Sequence, residues 1–233
     1  MAYKRICLKL SGEALAGESG KGFSESEVTK VMAEVKKVVD MGIQVGIVIG
    51  GGNFWRGRSS GDMDRVKADQ IGMLATVMNC IYAADELRQQ GIKCHVMTPY
   101  AIGDVTELYV RDKAIEYMEA GEVVFFGGGT GHPYFSTDMA IVLRAIEVQA
   151  EAILSAKSID GVYDSDPMKN PDAKKFDEME MSEIVAKQLG VIDIASAVLC
   201  MENKMPMILF GLSEENSIMR AVSGEKIGTK INA

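Results

Sequence analysis

Only two histidines (His95 and His132) and four scattered cysteines (Cys7, Cys80, Cys94 and Cys200) occur in 233 residues, and no cysteine sits in a C-x-x-C pair. That supply is too thin and too dispersed for a zinc site or a disulfide framework. Single cysteines of this kind fit reduced thiols, so a cytoplasmic protein is expected. Basic residues are also in deficit: 25 Lys and Arg stand against 33 Asp and Glu, a formal charge of −8. An acidic balance argues against nucleic acid as the main partner. It leaves room for an anionic ligand, because backbone dipoles bind phosphate within an acidic protein. No run of ~18 apolar residues is present, and the N-terminal "MAYKRICLKLSGEAL" has no apolar stretch of signal-peptide length. No membrane association is expected. Common nucleotide signatures are missing as well. There is no G-x-x-x-x-G-K-[ST] of a P-loop, no G-x-G-x-x-G after the first strand, and no H-R-D or D-F-G of a protein kinase.

What the chain does have is glycine, 24 residues of it and clustered, set into alternating strand and helix patterns. Strands are predicted at 5–10, 43–50, 92–98, 122–128 and 151–156, and helices at 24–42, 64–90, 110–121 and 136–150. The first helix has Ser24 and Glu27 spaced as a capping box, apolar residues recurring from Val28 to Val39, and Gly42 as its stop. After a polar, turn-rich stretch at 157–178 come helices at about 181–189 and 193–203, a strand at 206–211, a short helix at 216–222 and a last strand at 227–231. This alternation predicts an α/β fold, a three-layer α/β/α sandwich with a mainly parallel central sheet. No repeat or linker divides it, and the part beyond about residue 157 is at most a second lobe. Such sheets bind ligands at the carboxyl ends of their strands.

Four loops fall at predicted strand ends. In the first, Lys9 precedes Ser11 and Gly12, whose N–H groups can turn toward an anion. The second, within "GIVIGGGNFWRG" (46–57), offers Gly50, Gly51 and Gly52 as bare backbone at a strand-to-helix junction, with Arg56 able to grip the same anion. The third, "GGGTGHPYFSTD" (127–138), adds the hydroxyls of Thr130, Ser136 and Thr137; Asp138 either caps the next helix or serves the site. In the fourth, "SAKSIDGVYDSDP" (155–167), Tyr163 can stack on a base, while Asp164 and Asp166 can meet a ribose, a metal or only water. Each loop alone also reads as an ordinary turn. Together, two triple-glycine loops and a lysine at separate strand ends describe a surface that faces several phosphates.

The segments "KLSGEAL", "GIVIGGGNFWRG", "ADQIGMLATVMN", "GGTGHPYFSTD" and "DGVYDSDP", in that order, resemble the bacterial UMP kinase branch of the amino acid kinase family, over about residues 3–231. The resemblance implies one amino acid kinase domain over 1–233, with nucleoside monophosphate held by about 1–155 and ATP by about 156–233. It implies transfer of the γ-phosphate of ATP to UMP, giving ADP and UDP, with Mg²⁺ accompanying ATP. It also implies a cytoplasmic homohexamer, activated by GTP and inhibited by UTP. Carried over by position, Lys9, Arg56 and Asp138 are catalytic. Lys9, Leu10, Ser11, Gly12, Gly52, Arg56, Lys157, Tyr163 and Asp166 contact ATP. Gly51, Asp69, Thr130, Gly131, His132, Pro133, Tyr134, Phe135, Ser136 and Thr137 contact UMP, with Asp69 at its ribose. Two positions depart from the family pattern. His132 stands where the family often has Asn, and Lys157 where the enterobacterial pattern has Thr, so Lys157 is carried only as a backbone contact. No residue is assigned to GTP or UTP.

On this reading, phosphoryl transfer needs alignment and charge neutralisation more than a strong base, so two histidines suffice. Two competing readings are a kinase of a carboxylate or carbamate on the same fold, and a nucleotide sensor without catalysis. The resemblance of "ADQIGM" to a ribose-binding helix weighs against the first, and the joint presence of Lys9, Arg56 and Asp138 against the second.

Overall fold

A computed structural model describes residues 3–56 and 61–233; Gly57, the last residue of the "GIVIGGGNFWRG" stretch, lies outside them. The strand β1 (Arg5–Leu10) is buried from its second residue onward. Its side chains alternate between two cores, as a period of two requires. Ile6, Leu8 and Leu10 join one core, and Cys7 joins the other. Lys9 therefore projects on the same face as Cys7.

Beyond β1 the chain runs α1 (Glu25–Asp40), β2 (Gln44–Ile49), α2 (Arg65–Gln89), β3 (Cys94–Thr98), β4 (Glu107–Leu108), α3 (Arg111–Glu119), β5 (Val123–Phe126), α4 (Thr137–Glu147) and β6 (Ala152–Lys157). Then follow β7 (Val162–Tyr163), β8 (Lys175–Phe176), β9 (Glu178–Glu180), α5 (Met181–Ala186), α6 (Ile194–Asn203), β10 (Met207–Gly211), α7 (Ser217–Ser223) and β11 (Thr229–Asn232). Nine strands form one sheet in the order β4-β3-β5-β2-β1-β6-β10-β11-β9. Its neighbours pair in parallel except β10 with β11. One face is covered by α1, α2 and α7, whose Val28, Met32, Leu87, Ala221 and Val222 are buried there. The other is covered by α3 to α6, with Met118, Ile141, Ile184 and Cys200 among the buried residues. Two apolar cores enclosing one sheet make the three-layer sandwich that the alternation predicts.

The structure adds to the predicted elements and corrects one detail. The polar stretch at 157–178 contains the β7–β8 hairpin, and β9 at its end joins the edge of the main sheet. The capping box of α1 does not form. The Ser24 hydroxyl pairs with that of Ser26 at 3.1 Å and makes no bond to the helix N–H groups. No helix among the described residues is long and apolar enough to cross a membrane. All four cysteines are free and buried, and burial pushes each thiol up to about 12. Thiols held protonated in this way are inert packing groups.

Candidate active site

The strand order sets β5, β2, β1 and β6 side by side and parallel. The loops that follow them therefore open on one edge of the sheet, on either side of the point where the chain crosses from β5 to β6. This is where an open α/β sheet forms its ligand crevice.

Loops one and two are interlocked. Ser11 caps a short 3₁₀ turn over Gly12–Leu15. A Cβ on Gly12 would stand 2.3 Å from the Gly50 carbonyl oxygen and 2.4 Å from Asn53 Oδ1. Asn53 and Asn79, both buried, exchange amide hydrogen bonds at 3.0 and 2.8 Å. Asn79 also donates to the Gly50 carbonyl at 2.7 Å, and Asn53 to that of Gly22 at 2.8 Å. This buried pair fixes the glycine loop after β2, and pattern reading did not assign it.

The glycines after β2 are not all bare for a ligand. A Cβ on Gly51 would lie 2.8 Å from the Gly72 carbonyl oxygen of α2, so packing alone requires that glycine. A Cβ on Gly52 would make only ordinary contacts, 3.6 Å from Glu13 Oε1 and 3.9 Å from Arg56 Nε. The expected strand-to-helix junction is also absent. Residues 52–54 form a turn, and α2 starts only at Arg65. Arg56 reaches Glu13 of the first loop in an ion pair, with its side chain largely exposed.

In loop three, Gly128, Gly129 and Gly131 hold left-handed φ values of 78°, 62° and 90°, which other residues rarely adopt. The Gly128 N–H donates to Thr76 Oγ1 at 2.9 Å, tying the loop to α2. Ser136 caps α4, accepting from the N–H groups of Asp138 and Met139. Asp138 is therefore not needed as the cap. It pairs instead with Lys9 Nζ at 2.9 Å, and Lys9 is only 9 % exposed. Ser136 in turn donates to Asp193 at 2.5 Å, and Asp193 caps α6 through Ser196. Sequence reading missed Asp193; its Asp-x-x-Ser spacing at a helix start was the available signal.

Lys157, at the end of β6, shares the face of Lys9, since Ser155 lies in register with Lys9 and Lys157 is two residues further on. Burial lowers its pKa; Asp138 opposes that, and Lys9 adds to it. Its ammonium donates to the Val191 carbonyl.

A cleft of about 200 Å³ lies between loops two and three and α2. Gly51, Asp69, Phe135, Ser136 and Thr137 of the predicted acceptor set line it. Trp55, Gly72, Met73, Thr76 and Gly129 line it as well. On α2 the spacing Asp69, Gly72, Met73 and Thr76 sets one helical face toward the cleft. Asp69 accepts from Arg65 Nε and from the Tyr134 N–H, both at 2.8 Å. Thr130, His132 and Tyr134 do not line the cleft, and Gly131 and Pro133 border a separate groove with Tyr100 and Leu74. His132 is exposed. Of the predicted ATP set, Ser11 and Lys157 line a cavity of about 490 Å³ between the first loop, α1 and the end of β10. Tyr163 and Asp166 do not line it. The Tyr163 hydroxyl donates to Asp160 at 2.7 Å, and Asp166 accepts from the Met168 N–H at 3.0 Å. No group of three or more His, Cys, Asp or Glu suited to a metal occurs among the described residues.

A lysine–aspartate pair at a crevice of glycine loops on a parallel sheet defines a class. A sequence profile described as the amino acid kinase family matches residues 4–211, and the chain belongs to that family. It is similar to the crystal structure of a UMP kinase from Bacillus anthracis, with 38% identity and a TM-score of 0.96 over 100% of this chain and 97% of the other. A UMP kinase from Ureaplasma parvum matches with 30% identity and a TM-score of 0.93 over 100% of both chains. A uridylate kinase from Archaeoglobus fulgidus matches with 26% identity and a TM-score of 0.73, over 97% of this chain and 99% of the other.

Proposed function

We propose that this protein transfers the γ-phosphate of ATP to UMP, giving ADP and UDP. The observation that carries this reading is the Lys9–Asp138 pair, whose Asp138 directly follows Ser136 and Thr137 of the cleft lined also by Gly51 and Asp69. The likeness to UMP kinases over the whole chain supports the same acceptor. UMP lies in the cleft, its ribose toward Asp69 and its uracil and phosphate against Phe135, Ser136 and Thr137, with the stretch from Thr130 to Tyr134 closing over it only once UMP is bound. ATP lies along the neighbouring part of the edge, against Lys9, Leu10, Ser11, Gly12, Gly52 and the backbone of Lys157. Tyr163 of β7 and Asp166 just after it reach it from the segment that follows β6. The acceptor part spans about 1–155 and the ATP part about 156–233.

Two nucleotides bring several negative charges together. Lys9, Arg56 and loop N–H groups offset that repulsion and stabilise charge on the transferring phosphoryl group. Asp138 orients Lys9. Mg²⁺ arrives with ATP as part of the substrate and supplies further charge neutralisation on the phosphates. The Asp138 carboxylate beside Lys9 would suit an ion held mainly by phosphate oxygens.

Assembly into a homohexamer, activation by GTP, inhibition by UTP and a cytoplasmic setting belong to the same proposal. Self-association is supported by α2, which exposes Ile71, Leu74, Met78 and Ile81 at helical spacing.

The test is ADP formation from MgATP with UMP, CMP, dCMP or glutamate as acceptor. Rapid turnover with UMP alone is expected. Turnover with glutamate, or binding of UMP without turnover, would overturn the reading.

A further inference from the structure

The indole nitrogen of Trp55 is closed off from solvent and has no hydrogen-bond partner among the described residues. An indole N–H can only donate. Leaving such a donor buried and unmet is costly and uncommon, so its presence calls for a reason.

The position of Trp55 supplies one. It lines the same cleft as Gly51, Asp69, Thr76 and Thr137. Its ring lies over α2 at Gly72, where an added Cβ would come within 3.8 Å of Cδ1, the carbon bonded to the indole nitrogen. The Trp55 N–H of the main chain is held by the Gly51 carbonyl at 3.0 Å, which anchors the residue at the mouth of the second loop. The polar groups nearby are engaged with one another. Asp69 accepts from Arg65 and Tyr134, and the Thr76 hydroxyl donates to the Met73 carbonyl at 2.6 Å and accepts from Gly128.

We infer that the missing acceptor is substrate: the Trp55 indole N–H donates to an oxygen at the phosphate–ribose end of the nucleoside monophosphate. This rests on the acceptor reading given above. It makes Trp55 a binding residue for the acceptor and not for ATP. The donor then favours loading, because binding satisfies it.

Trp55 is the chain's one tryptophan, so its emission reports on the cleft without labelling. In the wild-type protein, UMP is expected to change that emission saturably, and ATP alone is not. Trp55→Phe keeps an aromatic ring and removes the donor. Its KM for UMP is expected to rise about tenfold, with the KM for ATP within about twofold of wild type and the circular dichroism unchanged. An unchanged KM for UMP would overturn the donor role while leaving the kinase reading intact. Equal rises in both KM values would also overturn it, since damage to the fold would explain them. Emission indifferent to UMP would overturn it whatever the variant does. A wild-type protein that does not turn over UMP would remove the kinase reading, and this inference with it.

Discussion

Gly12 and Gly52 both lie in glycine loops at strand ends, yet their surroundings differ. Gly12 lets loops one and two interlock, since its Cβ would collide with the Gly50 carbonyl and Asn53 Oδ1. A Cβ on Gly52 would meet Glu13 and Arg56 only at ordinary contact distances of 3.6 and 3.9 Å, so packing does not require that glycine. A run of three glycines shows that something approaches the backbone. It does not show whether the visitor is a phosphate or, as for Gly51, the carbonyl of a neighbouring helix. Gly12→Ala is therefore expected to destabilise the protein by about 1–3 kcal/mol, read from urea unfolding, because backbone must move to make room. A loss below ~0.5 kcal/mol would mean that the two loops are not locked. The Asn53–Asn79 pair was illegible in the sequence for a related reason. Its partners come from a loop and a helix 26 positions apart and meet only once both are folded.

Long elements were legible because their periodicity spans several turns or a full strand width. Each predicted helix and main strand appears within a few residues of its expected bounds. The two-residue strands β4, β7 and β8 were not, since so short a segment carries no alternation to read. Short β4 nevertheless organises one end of the sheet. Its Glu107 accepts from His95 Nδ1 at 2.7 Å, from the Tyr117 hydroxyl at 2.9 Å and from Lys113. The His95 ring stacks on Tyr117 at 3.4 Å, and its Nε2 meets Glu122 at 2.7 Å. Burial alone would raise the Glu107 carboxyl, but the bonds from Lys113, His95 and Tyr117 outweigh it and hold the pKa at about 2. A carboxylate depressed in the folded state binds protons more weakly there than in the unfolded chain. Its stabilisation is present above about pH 4.5 and is lost as the pH falls toward 2. Comparing wild type with Glu107→Gln by urea unfolding should show a wild-type advantage at about pH 6 that shrinks steadily below pH ~4.5. An advantage of constant size across that range would contradict the ion-pairing account of this edge.

Across the whole molecule, the strand order gives the local contacts their use. Residues from four separate loops share an edge because β5, β2, β1 and β6 are neighbours and parallel. The chain carries a net charge of −8, yet Lys9, Arg56 and Lys157 all stand at that edge. Positive charge at this edge is thus local, whatever the overall balance. The Lys9 end of the site was legible from a lysine at a strand end followed by Ser-Gly. The supports behind it were not, because Asp193 acts on α4 through Ser136 from a helix 57 residues further along the chain. The measurement to make is turnover by Lys9→Met with MgATP and UMP, alongside UMP binding by equilibrium dialysis and circular dichroism as a check of folding. If Lys9 neutralises the transferring phosphate, kcat falls by at least about a hundredfold while UMP binding changes only a few-fold. A folded Lys9→Met variant that keeps wild-type turnover would contradict the assignment of this edge as the phosphoryl-transfer centre.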